Sequence, residues 1–243
     1  MKRVFSFTKR NIKELLRDPL SFIFALILPL FLLFIFQQFK IPNDAYLLTN
    51  FTPGIIVFGF SFLTMFTAML VSKDRCSSLL LRLSASPMTP TEYVLGYFLS
   101  CIPLAIIQVI LFFLLAIPLG LNFSIGVIFS IIVSLFICLL YVALGILIGS
   151  FASDKASSGI SSVVVQLVAF TSGMYFSSDM LGKTFNFICD VLPFKASVEI
   201  IKGLLNLNLE NMLLYSVIFL AYLIVITVVS VVIFNRSLKG DKK

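Results

Sequence analysis

The chain has 243 residues, 60% of them hydrophobic and 12% charged, with a mean hydropathy of +1.11 and a net charge of +7. A soluble domain runs roughly 45–50% apolar and about 25% charged, so this much apolar surface needs lipid as its solvent. The chain has no histidine, which removes most hydrolase and metal chemistry and excludes a histidine-dependent intramembrane protease, and its basic residues gather at the ends of apolar stretches as topology signals rather than as a nucleic-acid groove.

Residues 1–19 predict an amphipathic interfacial helix. At about 100° per residue, Val4, Phe5, Ile12, Leu15 and Leu16 share an arc of roughly 120°. Lys2, Arg3, Lys9, Arg10, Lys13 and Arg17 lie opposite. Such a helix rests in the membrane plane with its cations toward anionic headgroups. Pro19, following Asp18, breaks the geometry before the first apolar run. The helix serves either as an anchor and topology signal or as a lever that also touches a cytosolic partner.

Six stretches approach the roughly 20 apolar residues a spanning helix needs: 20–39, 53–71, 94–119, 124–148, 159–176 and 213–234. The first exceeds the roughly 7–15 residues of a signal-peptide core, which predicts a retained helix. The fifth is the weakest, being short and rich in serine and glycine. With both termini in the cytoplasm, fourteen of the eighteen basic residues fall inside, and only Lys40, Lys183, Lys195 and Lys202 fall outside. The positive-inside rule therefore predicts an even number of spans. The four cysteines, Cys76, Cys101, Cys138 and Cys189, show no metal spacing and read as small packing residues.

The cytoplasmic segment after the second span carries more than topology requires. Its apolar turn, Ser77 to Leu83, is flanked by charge and should dock into something, such as a groove on a cytosolic protein. The next helix opens on Thr89, Pro90 and Glu92, a capping box with proline at its favoured position. Together these predict a rigid elbow joined to the third span.

Deep inside the spans there is no Asp, Glu, Lys or Arg, which argues against a proton- or ion-driven carrier. Gln108 and Gln166 are candidate pathway residues, or interhelical hydrogen-bond glue together with Thr64, Thr67 and Tyr141. Gly145 and Gly149 have the small-xxx-small spacing of close helix packing, within one chain or between two. Most of the 27 phenylalanines are expected to face lipid; an aromatic cavity would suit an amphipathic substrate. Residues 177–210 alternate apolar and charged positions, and Pro193 should divide them into two short helices dipping into the outer leaflet.

In order and spacing the sequence resembles the type-2 ABC exporter permeases, which include antibiotic and drug efflux permeases. The matching features are Arg17-Asp18-Pro19 before the first span and Leu28-Pro29 within it. Asp74-Arg75 then leads through Leu79–Leu83 to Ser86-Pro87-Met88. Ser172-Gly173 and Leu192-Pro193 follow the fifth span. Many relatives carry a glutamate and a glycine where this chain has Lys73 and Cys76–Ser77. The resemblance implies an all-α membrane protein forming one domain, 1–243, with six spans and both termini cytoplasmic. It implies that 76–84 is a coupling helix seated on a separate ATPase, with Asp74, Arg75, Leu79, Leu80, Arg82, Leu83 and Pro87 as coupling residues. Arg10, Arg17, Asp18 and Pro19 would belong to the interfacial helix, and Pro193 to a re-entrant outer hairpin, 177–210, that lines the exit.

The chain has no phosphate-binding glycine loop, so ATP and magnesium would bind the partner ATPase, with no cofactor on this chain. The implied assembly is an exporter of a drug, peptide, lipid or similar amphipathic substrate, built from two permeases (a homodimer or related chains) and two ATPases in the cell membrane. Alternatives are a substrate-capture subunit of an importer and a haem or cofactor exporter subunit.

Overall fold

In the computed structural model the described residues are 2–19, 23–39, 46–77, 88–174 and 182–240, and they form helices and turns with no strand. Helix α1 is Lys2–Leu16. A π-helical turn, Ile23–Ile27, runs into α2, Leu28–Gln38. Then come α3, Leu48–Cys76, α4, Pro90–Ala116, and α5, Ile125–Phe151. They are followed by α6, Asp154–Thr171, α7, Lys183–Val191, α8, Pro193–Leu205, and α9, Met212–Gly240.

Four of these, α3, α4, α5 and α9, are long and apolar enough to cross a membrane. The other two expected spans are helical as well. Ile23–Gln38 covers 16 residues and begins with a π-helical turn. Helix α6 starts at Asp154 rather than at 159 and stops at Thr171 rather than 176. Ser153 caps it, its hydroxyl accepting from the Ala156 N–H, so the helix takes in Asp154 and Lys155. The other ends also move: α3 extends beyond 53–71 at both ends, α4 stops at Ala116 rather than 119, and α9 continues past 234.

Helix α3 is the axis of the bundle, and 89% of its apolar window is buried, against 17% for α9. A helix more apolar than α3 that turns Leu213, Leu214, Val217, Ile224 and Val228 outward leaves that surface for lipid. The α3–α5 seam is close because Gly145 and Gly149 lack side chains. A Cβ on Gly145 would stand 2.6 Å from the Thr64 carbonyl oxygen, and one on Gly149 2.6 Å from that of Ala68. The small-xxx-small pair therefore packs within the chain. Thr64 adds a hydrogen bond, its hydroxyl donating to the Tyr141 carbonyl at 2.8 Å.

Two local expectations hold, and a third holds for three cysteines of four. The capping box forms at α4: the Glu92 N–H donates to Thr89 Oγ1 at 3.4 Å, and the Thr89 N–H donates to the Glu92 carboxylate at 2.7 Å. Leu192-Pro193 separates two short helices, α7 and α8. Cys101, Cys138 and Cys189 are buried, while Cys76 is exposed.

Helix α1 forms where expected, but its apolar arc alone does not give its packing edge. Its packing edge is not the centre of the apolar arc but Phe7, Thr8 and Asn11, all buried. Phe7 fits because position 96 is glycine, where a Cβ would meet its ring at 2.5 Å. The ring meets Tyr93 and Tyr97 edge-on at centroid distances of 5.4 and 5.1 Å. Phe5 and Leu16 remain largely exposed.

Candidate functional site

The last turn of α3 gathers the ends of five other helices. Successive residues of a helix point about 100° apart, so four in a row sample its whole circumference. Here all four carry polar atoms. Ser72 shares a hydrogen bond with Ser157 of α6 at 2.8 Å. Lys73 pairs with Glu14 of α1 at 2.5 Å. Asp74 faces α1 and α4. Arg75 donates to the carbonyls of Ser150 and Ala152, each at 2.6 Å, and to the Ser237 hydroxyl of α9 at 3.3 Å.

Asp74 is the centre of this arrangement. It is fully buried, which a carboxylate tolerates only when paired. Arg10 Nη1 donates to Oδ2 at 2.7 Å and lies 2.6 Å from Oδ1. The Tyr97 hydroxyl donates to Oδ2 at 2.9 Å. The same Arg10 nitrogen donates to the Asn11 side-chain oxygen, which keeps the guanidinium turned inward. The Lys73 ammonium bonded to Glu14 holds that carboxyl below the usual range. Lys73, a departure from the resembling family, thus has its own acidic partner in this chain.

Arg75 works differently. The final carbonyls of a helix have no intrahelical partners. A guanidinium presents several donors in a fixed fork, and here it satisfies the end of α5 while reaching α9. Asp74 and Arg75 thus spend their polar atoms on this chain, at the base of the loop rather than on an outward face. Arg17, Asp18 and Pro19 follow the end of α1. Of the other expected coupling residues, Leu79, Leu80, Arg82, Leu83 and Pro87 lie outside the described residues, as does most of 76–84.

The three candidate pathway residues fall in separate places. Gln108 is buried, and its amide donates to the carbonyls of Ala25 at 2.9 Å and Gly59 at 3.2 Å. The reason lies four residues beyond Ala25. Pro29 has no N–H, so the Ala25 carbonyl loses the α-helical donor it would otherwise have, and Gln108 supplies one from across the bundle. Gln166 is exposed and lines a groove of about 670 Å³ with Phe24, Leu28, Phe31, Phe62 and Met65, between the first apolar helix, α3 and α6. Pro193 is buried at the start of α8. Sequence reasoning missed Tyr97 as the second donor to Asp74. Its one signal was Tyr93 and Tyr97 spaced i, i+4 on the helix that follows the loop.

These features define a multi-pass helical membrane protein without an enzymatic constellation of its own among the described residues. Residues 2–206 match the family model of the ABC-2 type transporter, and the chain belongs to that family. It is therefore an ABC transporter permease, the membrane-spanning subunit, and the family implies an ATP-binding partner subunit. Comparison with curated proteins returned no match.

Proposed function

We propose that this permease exports an amphipathic substrate (a drug, a peptide or a lipid) with energy from ATP and magnesium bound by the partner subunit. The observation that carries this reading is the last turn of α3, where Ser72, Lys73, Asp74 and Arg75 tie the entrance of the loop to α1, α4, α5, α6 and α9. A push on 76–84, the coupling helix in this reading, reaches the bundle through these links rather than through a hinge. The six-span arrangement with both termini cytoplasmic is supported by the fourteen-to-four division of basic residues. Helices α7 and α8 are the re-entrant outer hairpin of this reading, with buried α8 as its inner limb, while 177–181 lie outside the described residues. A second permease copy faces the open groove beside Gln166, where an apolar wall with an amide at its edge would contact an amphipathic cargo.

The test is co-reconstitution with the partner ATPase in inside-out vesicles, using a panel of fluorescent amphipathic compounds. The expected result is ATP-dependent accumulation of at least one compound. Arg75→Gln should lower accumulation several-fold while ATP hydrolysis persists. Loss of hydrolysis and transport in equal proportion would overturn the coupling role. ATP-dependent uptake confined to right-side-out vesicles would overturn the export direction.

A further inference from the structure

The cations around α1 are divided between two tasks. Arg10 turns inward to Asp74, and Glu14 on the same side holds Lys73. Lys9, Lys13 and Arg17 are exposed. At about 100° per residue they fall on one strip, and it borders the exposed strip formed by Phe5 and Leu16 with half-buried Ile12. A strip of cations beside a strip of apolar side chains matches the charged-then-greasy profile of an anionic leaflet. The place in the fold agrees, because the inner edge of α1 is spent on the first turns of α4, at Tyr93, Gly96 and Tyr97. The chain then passes through Pro19 to the first apolar helix at Ile23.

We propose that this outer strip binds anionic lipid headgroups, and that headgroup binding steadies the Arg10–Asp74 and Glu14–Lys73 links at the base of α3. Lys9, Lys13 and Arg17 supply the charge recognition. Phe5 and Leu16 supply the apolar contact. Because the inward and outward side chains share one short helix, the charge of the inner leaflet acts on the same turn of α3 that anchors the loop. The inference stands on membership of a membrane permease family and not on the direction of transport.

The chain contains no tryptophan, so Phe5→Trp introduces a single reporter on the exposed strip. In the full chain reconstituted with brominated lipids, brominated phosphatidylglycerol should quench the indole about threefold or more beyond brominated phosphatidylcholine. That preference should vanish in Lys9→Gln/Lys13→Gln/Arg17→Gln, and at about 1 M salt, where the screening length is near 3 Å. Hydrogen exchange across residues 7–15 should be slowed several-fold in phosphatidylglycerol relative to phosphatidylcholine bilayers, again only with the three cations present. Equal quenching by both lipids would overturn the proposal. A quenching preference without altered exchange would overturn its transmitted half. If neither lipid quenches and the indole emission changes only when the ATPase is added, the strip belongs to the motor subunit and the lipid reading falls.

Discussion

Asp74 is a fully buried carboxylate with two donors, Arg10 and Tyr97. Arg10→Ala leaves it with Tyr97 alone, and should destabilise the protein by about 2 kcal/mol, discounted for the partial exposure of the arginine. Arg10→Met combined with Asp74→Asn removes both charges and should recover most of that loss. Thermal unfolding, in one detergent, of the parent chain, Arg10→Met, Asp74→Asn and the double variant measures the coupling energy directly. Gln108→Leu should cost about 1–3 kcal/mol in the same assay, because it strips the Ala25 carbonyl of its donor without opening a large void. The two sites were unequally legible in the sequence. Gln108 stood out as a lone amide in an apolar run, and Pro29 was visible, but their relation needs the first and third expected spans side by side. The Arg10–Asp74 pair joins residues 64 apart, and no local period connects them.

Helix α1 shows where periodicity misleads. Its apolar arc was readable, but the packing edge is set by what α4 offers: a glycine at 96 flanked by two tyrosines. Thr8 and Asn11 are polar, yet both are buried beside that edge. The cap of α4 was legible because Thr89, Pro90 and Glu92 specify it locally. The start of α6 was missed because apolarity begins later than the helix does. Above the usual glutamate range near pH 4.3, the depressed Glu14 carboxyl contributes stability through Lys73. That contribution disappears as the pH falls through its lowered value. Glu14→Gln should therefore lower the thermal midpoint slightly at pH 7, since a half-exposed pair contributes less than about 1 kcal/mol. The gap between the two chains should close on acidification; a gap independent of pH would contradict the assignment.

Across the whole molecule, burial grades from α3 at the centre to α9 at the rim, which is the order a lipid-solvated bundle requires. The four long apolar helices were plain from composition. The other two were also read from apolarity, and for 159–176 the apolar run lies a few residues later than the helix, which Ser153 starts at Asp154. Orientation has a native probe, because Cys76 is exposed while the other three thiols are buried. A membrane-impermeant maleimide should label it from the cytoplasmic side alone, and labelling from the outer side would reverse the topology. The last turn of α3 also gives this helix a phase. Gly145 and Gly149 of its neighbour mesh with it near Thr64 and Ala68, and Ser72 to Arg75 engage their partners only a few residues later. One residue inserted between these stretches would turn every later contact by about 100° and swap each partner for a stranger. In that segment α3 behaves as an indexed shaft, tolerant of changes in what its teeth are made of and intolerant of changes in their number.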